Sequence, residues 1–193
     1  QWQVSTNKQQ INAGAVVVAT GGSGPGPFQW FRRRIIPVGS FAVVTAPLSA
    51  EQRSSLFPGN RSYVTSKNIG NYFRLTQDNR LLFGGRARFA VSNPRSDQKS
   101  GAILRQTLDA MFPDLKHTAI DYCWGGTVDM SADRLPKAGE HEGLFYTMGY
   151  SGHGVQMSVH MGERMAEAML GNAAANPWRD RPWPAIPGHL GPP

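Results

Sequence analysis

The chain has 193 residues, enough for one domain or two small ones with a core of their own. Hydrophobic residues make up 40% and charged ones 17%, which excludes a disordered chain. The net charge of +7 (20 Lys and Arg against 13 Asp and Glu) favours anionic partners such as a phosphate-bearing cofactor; the basic residues are dispersed apart from Arg32-Arg33-Arg34, and no nucleic-acid-binding signature accompanies that run, so nucleic acid is disfavoured as a partner. No apolar run is long enough to cross a bilayer, and no signal peptide is visible. The lone Cys123 rules out an internal disulfide and fits a reducing compartment such as the cytoplasm. The first residue is Gln1, and the opening lines read like the middle of a protein, so a fragment is expected.

In chain order, residues 1–12 are polar and predict the end of a strand pair. Ala15 to Thr20 is a continuous apolar run that predicts a strand buried on both faces, as in a parallel sheet. The Gly- and Pro-rich loop after it is no phosphate fingerprint, because two prolines interrupt it and no small-residue helix follows. Ser40 to Ala46 predicts a strand. Ser49 with Gln52 spells a capping box for a short helix to Leu56. Asn71–Leu75 and Arg80–Gly85 flank a turn and predict a hairpin, with Arg86 and Arg88 extending its second strand. Tyr72 and Arg74 are candidates for the substrate side, with the expectation that alternating strand faces present only one of them.

Pro94 begins a helix to about Phe112, with Leu104 and Leu108 on its apolar face, and Pro113 stops it. Ala119 to Gly126 predicts a strand broken by Gly125-Gly126. Ile120, Tyr122 and Trp124 alternate with Asp121 and Cys123, which predicts a buried aromatic face. Asp133-Arg134-Leu135-Pro136 is a turn before the next strand. After it come a short buried strand at Leu144–Thr147, a glycine turn and a helix to about Leu170, capped by Gly171. The Pro- and Trp-rich stretch 176–193 predicts an extended wrap or a loose end.

The glycine turn, Gly149-Tyr150-Ser151-Gly152-His153-Gly154, carries the chemistry. Its glycines let the backbone turn tightly and approach a bound group, while the N–H groups of the first helical turn, from Val155 on, point at that group. Such a site suits an anion or an atom that becomes negative during a reaction. Gly154, Ser158, Gly162 and Ala166 leave one helix face nearly bare, which predicts close approach to a sheet, and a row of methionines predicts core packing. Two rival chemistries fit the turn less well. The turn nearly spells a hydrolase nucleophile elbow around Ser151, but His153 stands where glycine is required. His153 and His160 could share a helix face, yet a third metal ligand at suitable spacing is absent.

Several stretches together resemble the C-terminal half of the FAD-dependent amino-acid and amine oxidoreductases, the D-amino-acid oxidase or glycine oxidase superfamily. They are Ala15–Gly21, Arg80–Gly85, Asp121–Gly126, Asp133–Pro136 and Gly149–Gly154. Within it the chain looks most like the gamma-glutamylputrescine oxidoreductases, which oxidise an amine. The resemblance implies a mixed α/β and α+β fold: the C-terminal part of a Rossmann-like FAD-binding domain (1–33 and 120–175) plus a substrate domain built on an antiparallel sheet (34–119). It implies hydride transfer from a C–H beside nitrogen to the flavin, giving an imine that water hydrolyses. It further implies that Thr20 and Gly21 lie beneath the dinucleotide, that Gly125 lets the chain pass near the flavin, and that the turn from Gly149 through Val155 sits by the flavin ring.

The chain departs from the family pattern twice. The Gly-x-Gly-x-x-Gly fingerprint is absent and is expected in an N-terminal half of the same protein, so the chain alone is expected to be inactive and to bind FAD poorly. The arginine that pairs with a substrate carboxylate in amino-acid-oxidising members is also absent. The sequence there runs Gly126-Thr127-Val128-Asp129, which favours an amine substrate; Asp129 either faces its ammonium or caps the following turn. The rival class is a basic binding module with no catalysis.

Overall fold

The computed structural model describes residues 1–23, 28–67, 70–88 and 92–188. Its elements run β1 (Trp2–Ser5), β2 (Gln10–Ala13), β3 (Val16–Val18), α1 (Gln29–Arg32), β4 (Ile36–Thr45), α2 (Ala50–Leu56), β5 (Tyr63–Val64), β6 (Tyr72–Leu75), β7 (Leu81–Arg88), α3 (Pro94–Met111), β8 (Ile120–Met130), β9 (Lys137–His141), β10 (Leu144–Met148) and α4 (Gly154–Met169). The chain divides into two compact units, Gln1–Pro37 with Val128–Pro193, and Val38–Thr127. The fold class is mixed α/β with antiparallel sheets, as the sequence implied.

The first unit holds a three-stranded sheet in the order β3-β10-β9 and the separate hairpin β1-β2. β3 pairs with β10 in parallel, Val17 opposite Phe145, as the apolar run predicted. Burial on both faces is not found: Val18 is buried but Val17 is 41% exposed. β3 is an edge strand of this sheet, and Val17 lines an open cleft together with Trp2 to Ser5. α4 packs on this sheet through Met161 and Met165, which are buried with Ala138 and flanked by Met157, Met169 and Phe145. The methionine row is therefore the packing row. The row of small residues does not lie on the sheet: a Cβ at Gly162 would meet nothing within 4 Å, and Ser158 and Ala166 are exposed. The helix turns so as to bury its larger apolar side chains.

The described part of the C-terminal stretch, residues 176–188, wraps rather than hangs loose. Trp183 is buried among Phe31, Tyr146 and Met148. Arg34 fastens it by donating from Nε to the Trp183 carbonyl at 2.7 Å, and Trp183 Nε1 donates to the Arg34 carbonyl at 3.3 Å.

The second unit is a five-stranded sheet in the order β5-β6-β7-β4-β8, with α3 packed on one face. The Ser49–Gln52 capping box forms in full before α2, and Asn93 caps α3 through the Ser96 N–H. Phe41, Val43, Leu81, Phe83, Leu104 and Leu108 make the core. β8 departs from expectation twice. Gly125-Gly126 do not break it; it runs on to Met130. Its aromatic row is not buried, since Tyr122 is 58% and Trp124 45% exposed. The small side chains of the other row approach α3 instead: a Cβ at Gly101 would come 2.5 Å from Cys123 Sγ, and one at Gly125 would come 2.8 Å from Asp97 Oδ1 of α3 and 2.5 Å from the Phe41 ring of β4. A close helix crossing admits small residues and leaves the rings outside.

Candidate functional site

The glycine turn closes β10 and opens α4. Gly149 has φ +71° and Gly152 φ +93°, conformations that glycine adopts at little cost, and Ser151 joins them at φ +52°. The C-terminal end of β8 and Ser131 just after it grip this turn through bonds that span 20 to 22 residues of sequence. The Gly149 N–H donates to Asp129 Oδ2 at 2.5 Å, and the Ser151 N–H donates to the Asp129 carbonyl at 2.9 Å. The Ser131 N–H donates to Ser151 Oγ at 3.2 Å, and Ser151 Oγ donates to the Gly149 carbonyl at 3.2 Å. The Tyr150 hydroxyl lies 2.7 Å from Thr147 Oγ1.

β3 reaches the same place. A Cβ at Gly21 would lie 3.7 Å from Asp129 Oδ2, so the end of β3, the end of β8 and the turn converge. Thr20, beside Gly21, is exposed and lines an open cleft of about 360 Å³ with Val16, Val18 and Leu144. Burial raises the Asp129 carboxyl above its usual range, against the N–H bonds from Gly149 that pull it down. Burial also raises the Tyr150 phenol.

Beyond the turn, the mouth of α4 is open. His153 occupies the N-cap position without any side-chain cap, and no acidic residue stands in the first helical turn. Gly152, His153 and Val155 are exposed, Val155 at 92%. Among the described residues no acceptor meets the N–H groups of Gly154, Val155 or Gln156. This mouth fits an electron-rich group that accepts several N–H bonds.

The structure thus brings Thr20, Gly21, Asp129 and the run from Gly149 to Val155 to one locus within the first unit. Gly125 belongs to the second unit, where Phe41 and Asp97 occupy the space a side chain would need. Tyr72 and Arg74 also belong to the second unit. Both are exposed on one face of β6 while Phe73 and Leu75 turn to the core, so the expectation that only one could face a site is corrected: residues two apart in a strand share a face. Tyr72 lies over Gly84, its hydroxyl 3.4 Å from Ser40 Oγ. The side chains of Arg86 and Arg88 lie outside the described residues.

Asp129 is 6% exposed, and its carboxylate accepts from the Gly149 N–H of a turn 20 residues later instead of capping the turn that directly follows it in sequence. Ser151 is 9% exposed and its hydroxyl is engaged by Ser131 and Gly149, an arrangement unlike an exposed nucleophile. No cluster of metal-ligating side chains occurs among the described residues.

Sequence reasoning missed Ser131 and Lys137. Lys137, 3% exposed, is paired with Asp133 at 2.5 Å and donates to the Pro182 carbonyl at 3.3 Å. Burial pushes the Asp133 carboxyl up, but Lys137 and the Leu135 N–H outweigh it and hold the group below the usual range. The Asp133–Pro136 motif was visible; its partner was not, because Lys137 reads as the polar start of a strand.

Residues 1–168 match the family described as FAD dependent oxidoreductase. The chain belongs to this family. By that description its members are FAD-dependent oxidoreductases. It is 37% identical over 141 residues to a probable oxidoreductase, OrdL, of Haemophilus influenzae, covering 72% of this chain and 31% of that protein. It is 34% identical over 172 residues to the gamma-glutamylputrescine oxidoreductase of Escherichia coli, covering 88% of this chain and 40% of that one. The L-proline dehydrogenase of P. horikoshii shares the fold, with a TM-score of 0.70 at 23% identity over 91% of this chain and 47% of the other. The chain therefore spans roughly a third to two-fifths of the curated relatives' length. No described helix is long and apolar enough to cross a membrane.

Proposed function

We propose that the chain contributes the flavin-facing turn and the substrate sheet of a longer oxidoreductase that oxidises a C–N bond of an amine, with a substrate of the gamma-glutamylputrescine kind. The observation that carries this reading is the open mouth of α4, its N–H groups unpaired and no acid beside them, in a chain of a flavoprotein family. Bound FAD would supply the ring that accepts a hydride from the C–H next to nitrogen.

Every other contribution is the protein's own. The N–H groups of Gly154, Val155 and Gln156, with the positive end of α4 behind them, would hold an electron-rich group of the cofactor and would stabilise negative charge there. Gly149 and Gly152 supply the backbone turn that brings those groups forward. Thr20 and Gly21 are assigned to the dinucleotide at the end of β3. Tyr72 and Arg74, exposed together on β6, are assigned to the substrate side. The absence of an arginine after Gly126 supports an amine over an α-amino acid. Residues 1–33 and 120–175 are assigned to the FAD-binding domain and 34–119 to the substrate domain. The phosphate fingerprint is assigned to an N-terminal half of the same protein, which would complete the FAD site, and the cytoplasm is proposed as the compartment, in line with the single cysteine.

The test is the visible absorption of the full-length protein, followed by turnover assays with gamma-glutamylated and free diamines against α-amino acids. A flavin spectrum and oxidation of the amines are expected. A full-length protein that stays colourless after FAD is added would overturn the reading and leave a basic binding module in its place. Oxidation of α-amino acids alone would overturn the substrate class.

A further inference from the structure

The carboxylate of Asp129 is the feature of this site that the proposed chemistry does not use. It is buried, and it reaches the turn from a strand 20 residues away in sequence. Two different atoms of the residue hold two different amides. Side-chain Oδ2 accepts from the Gly149 N–H at 2.5 Å, and the main-chain carbonyl accepts from the Ser151 N–H at 2.9 Å. The same carboxylate lies against Gly21 at the end of β3. Ion pairs of the first unit sit elsewhere: among the described residues Lys137 pairs with Asp133, Arg164 with Glu167 and Arg179 with Asp180. Asp129 thus has amide donors but no cationic partner among the described residues, an arrangement that fits an anchor for backbone amides.

We propose that Asp129 is a positioning residue: its side-chain oxygen fixes the Gly149 peptide and thereby the path of the turn through Ser151 and Gly152 into α4. The assignment to a flavin site rests on the function proposed above; the anchoring of the turn does not. Gly149 has a left-handed φ, so the peptide that precedes it has no regular ladder to hold it once β10 has ended at Met148. Asp129 substitutes for that ladder. A change of a single acceptor at residue 129 would then reach the open N–H groups at the mouth of α4 without touching any of them.

The two acceptors on one residue supply their own control. Amide hydrogen exchange of the full-length protein, read at Gly149 and Ser151, is compared in wild type, Asp129→Ala and Asp129→Asn. In Asp129→Ala the Gly149 amide is expected to lose its protection while Ser151, bonded to the unchanged main-chain carbonyl, keeps it. Asp129→Asn retains a side-chain oxygen and is expected to keep both. FAD affinity is expected to fall about tenfold or more in the alanine variant and to stay within about threefold of wild type in the asparagine variant, with the position of the flavin absorption bands following the same order. Equal protection of Gly149 in wild type and Asp129→Ala would overturn the proposal. So would an asparagine variant as impaired as the alanine one, since charge rather than an acceptor would then be what matters. If the wild-type protein takes up no FAD, the function proposed above fails, and the exchange pattern alone decides the role of Asp129.

Discussion

Burial, more than any neighbouring charge, sets the behaviour of Asp129. Desolvation raises its carboxyl in the folded state, and the Gly149 N–H only partly offsets that. An acid whose folded value is raised contributes stability that is fully present below the unfolded value and is lost as pH rises through the folded one. Asparagine at this position carries no such titration. The stability difference between Asp129→Asn and wild type should therefore shift in favour of asparagine as pH rises from the acid side to neutrality, measured as urea midpoints of both proteins at each pH. A difference that stays flat with pH would contradict the burial argument. Gly152 makes a separate case. A Cβ there meets nothing within 4 Å, so the obstacle to a side chain is the φ of +93° and not a clash. Gly152→Val should cost about 1–3 kcal/mol in thermal unfolding and weaken FAD binding in the complete enzyme; unchanged flavin affinity would count against the role given to the turn.

Elements are placed by which side chains fit between them. α3 lies close on the five-stranded sheet because Gly101 and Gly125 leave room at the crossing, so the bulky rings of Tyr122 and Trp124 take the opposite face of β8. Gly125→Ala would bring a methyl group 2.5 Å from the Phe41 ring and 2.8 Å from Asp97 Oδ1. Overpacking of this kind is expected to cost about 1–3 kcal/mol, visible as a lower urea midpoint. α4 follows the same logic with the opposite outcome for its small residues. Its methionines are flexible enough to fill the sheet surface, so they take the buried side and the glycine–serine–alanine row faces outward.

For the first unit as a body, the chain beyond α4 matters as much as the sheet. Trp183 completes a cluster with Phe31, Tyr146 and Met148, and the carbonyls at Pro182 and Trp183 receive donors from Lys137 and Arg34. Trp183→Ala is expected to destabilise by about 3–5 kcal/mol, read by chemical denaturation. A change under about 1 kcal/mol, as for an ordinary surface substitution, would show that the wrap is not part of the core.

Local signals were readable without coordinates wherever one short stretch holds all the information. The capping box at Ser49, the Pro113 stop, the β6–β7 hairpin, the parallel character of Val16–Val18 and the glycine turn before α4 are of that kind. The family resemblance added the order of the two sheets and the flavin. Long-range choices were not readable: which row of β8 or α4 is buried, that β8 continues through Gly125-Gly126 to Asp129, and that Asp129 caps a turn 20 residues later. An alternating strand and an amphipathic helix each offer two faces, and sequence periodicity names the faces without naming the partner. That decision belongs to close packing and to burial of polar groups with their hydrogen-bond partners, both of which depend on residues far apart in the chain.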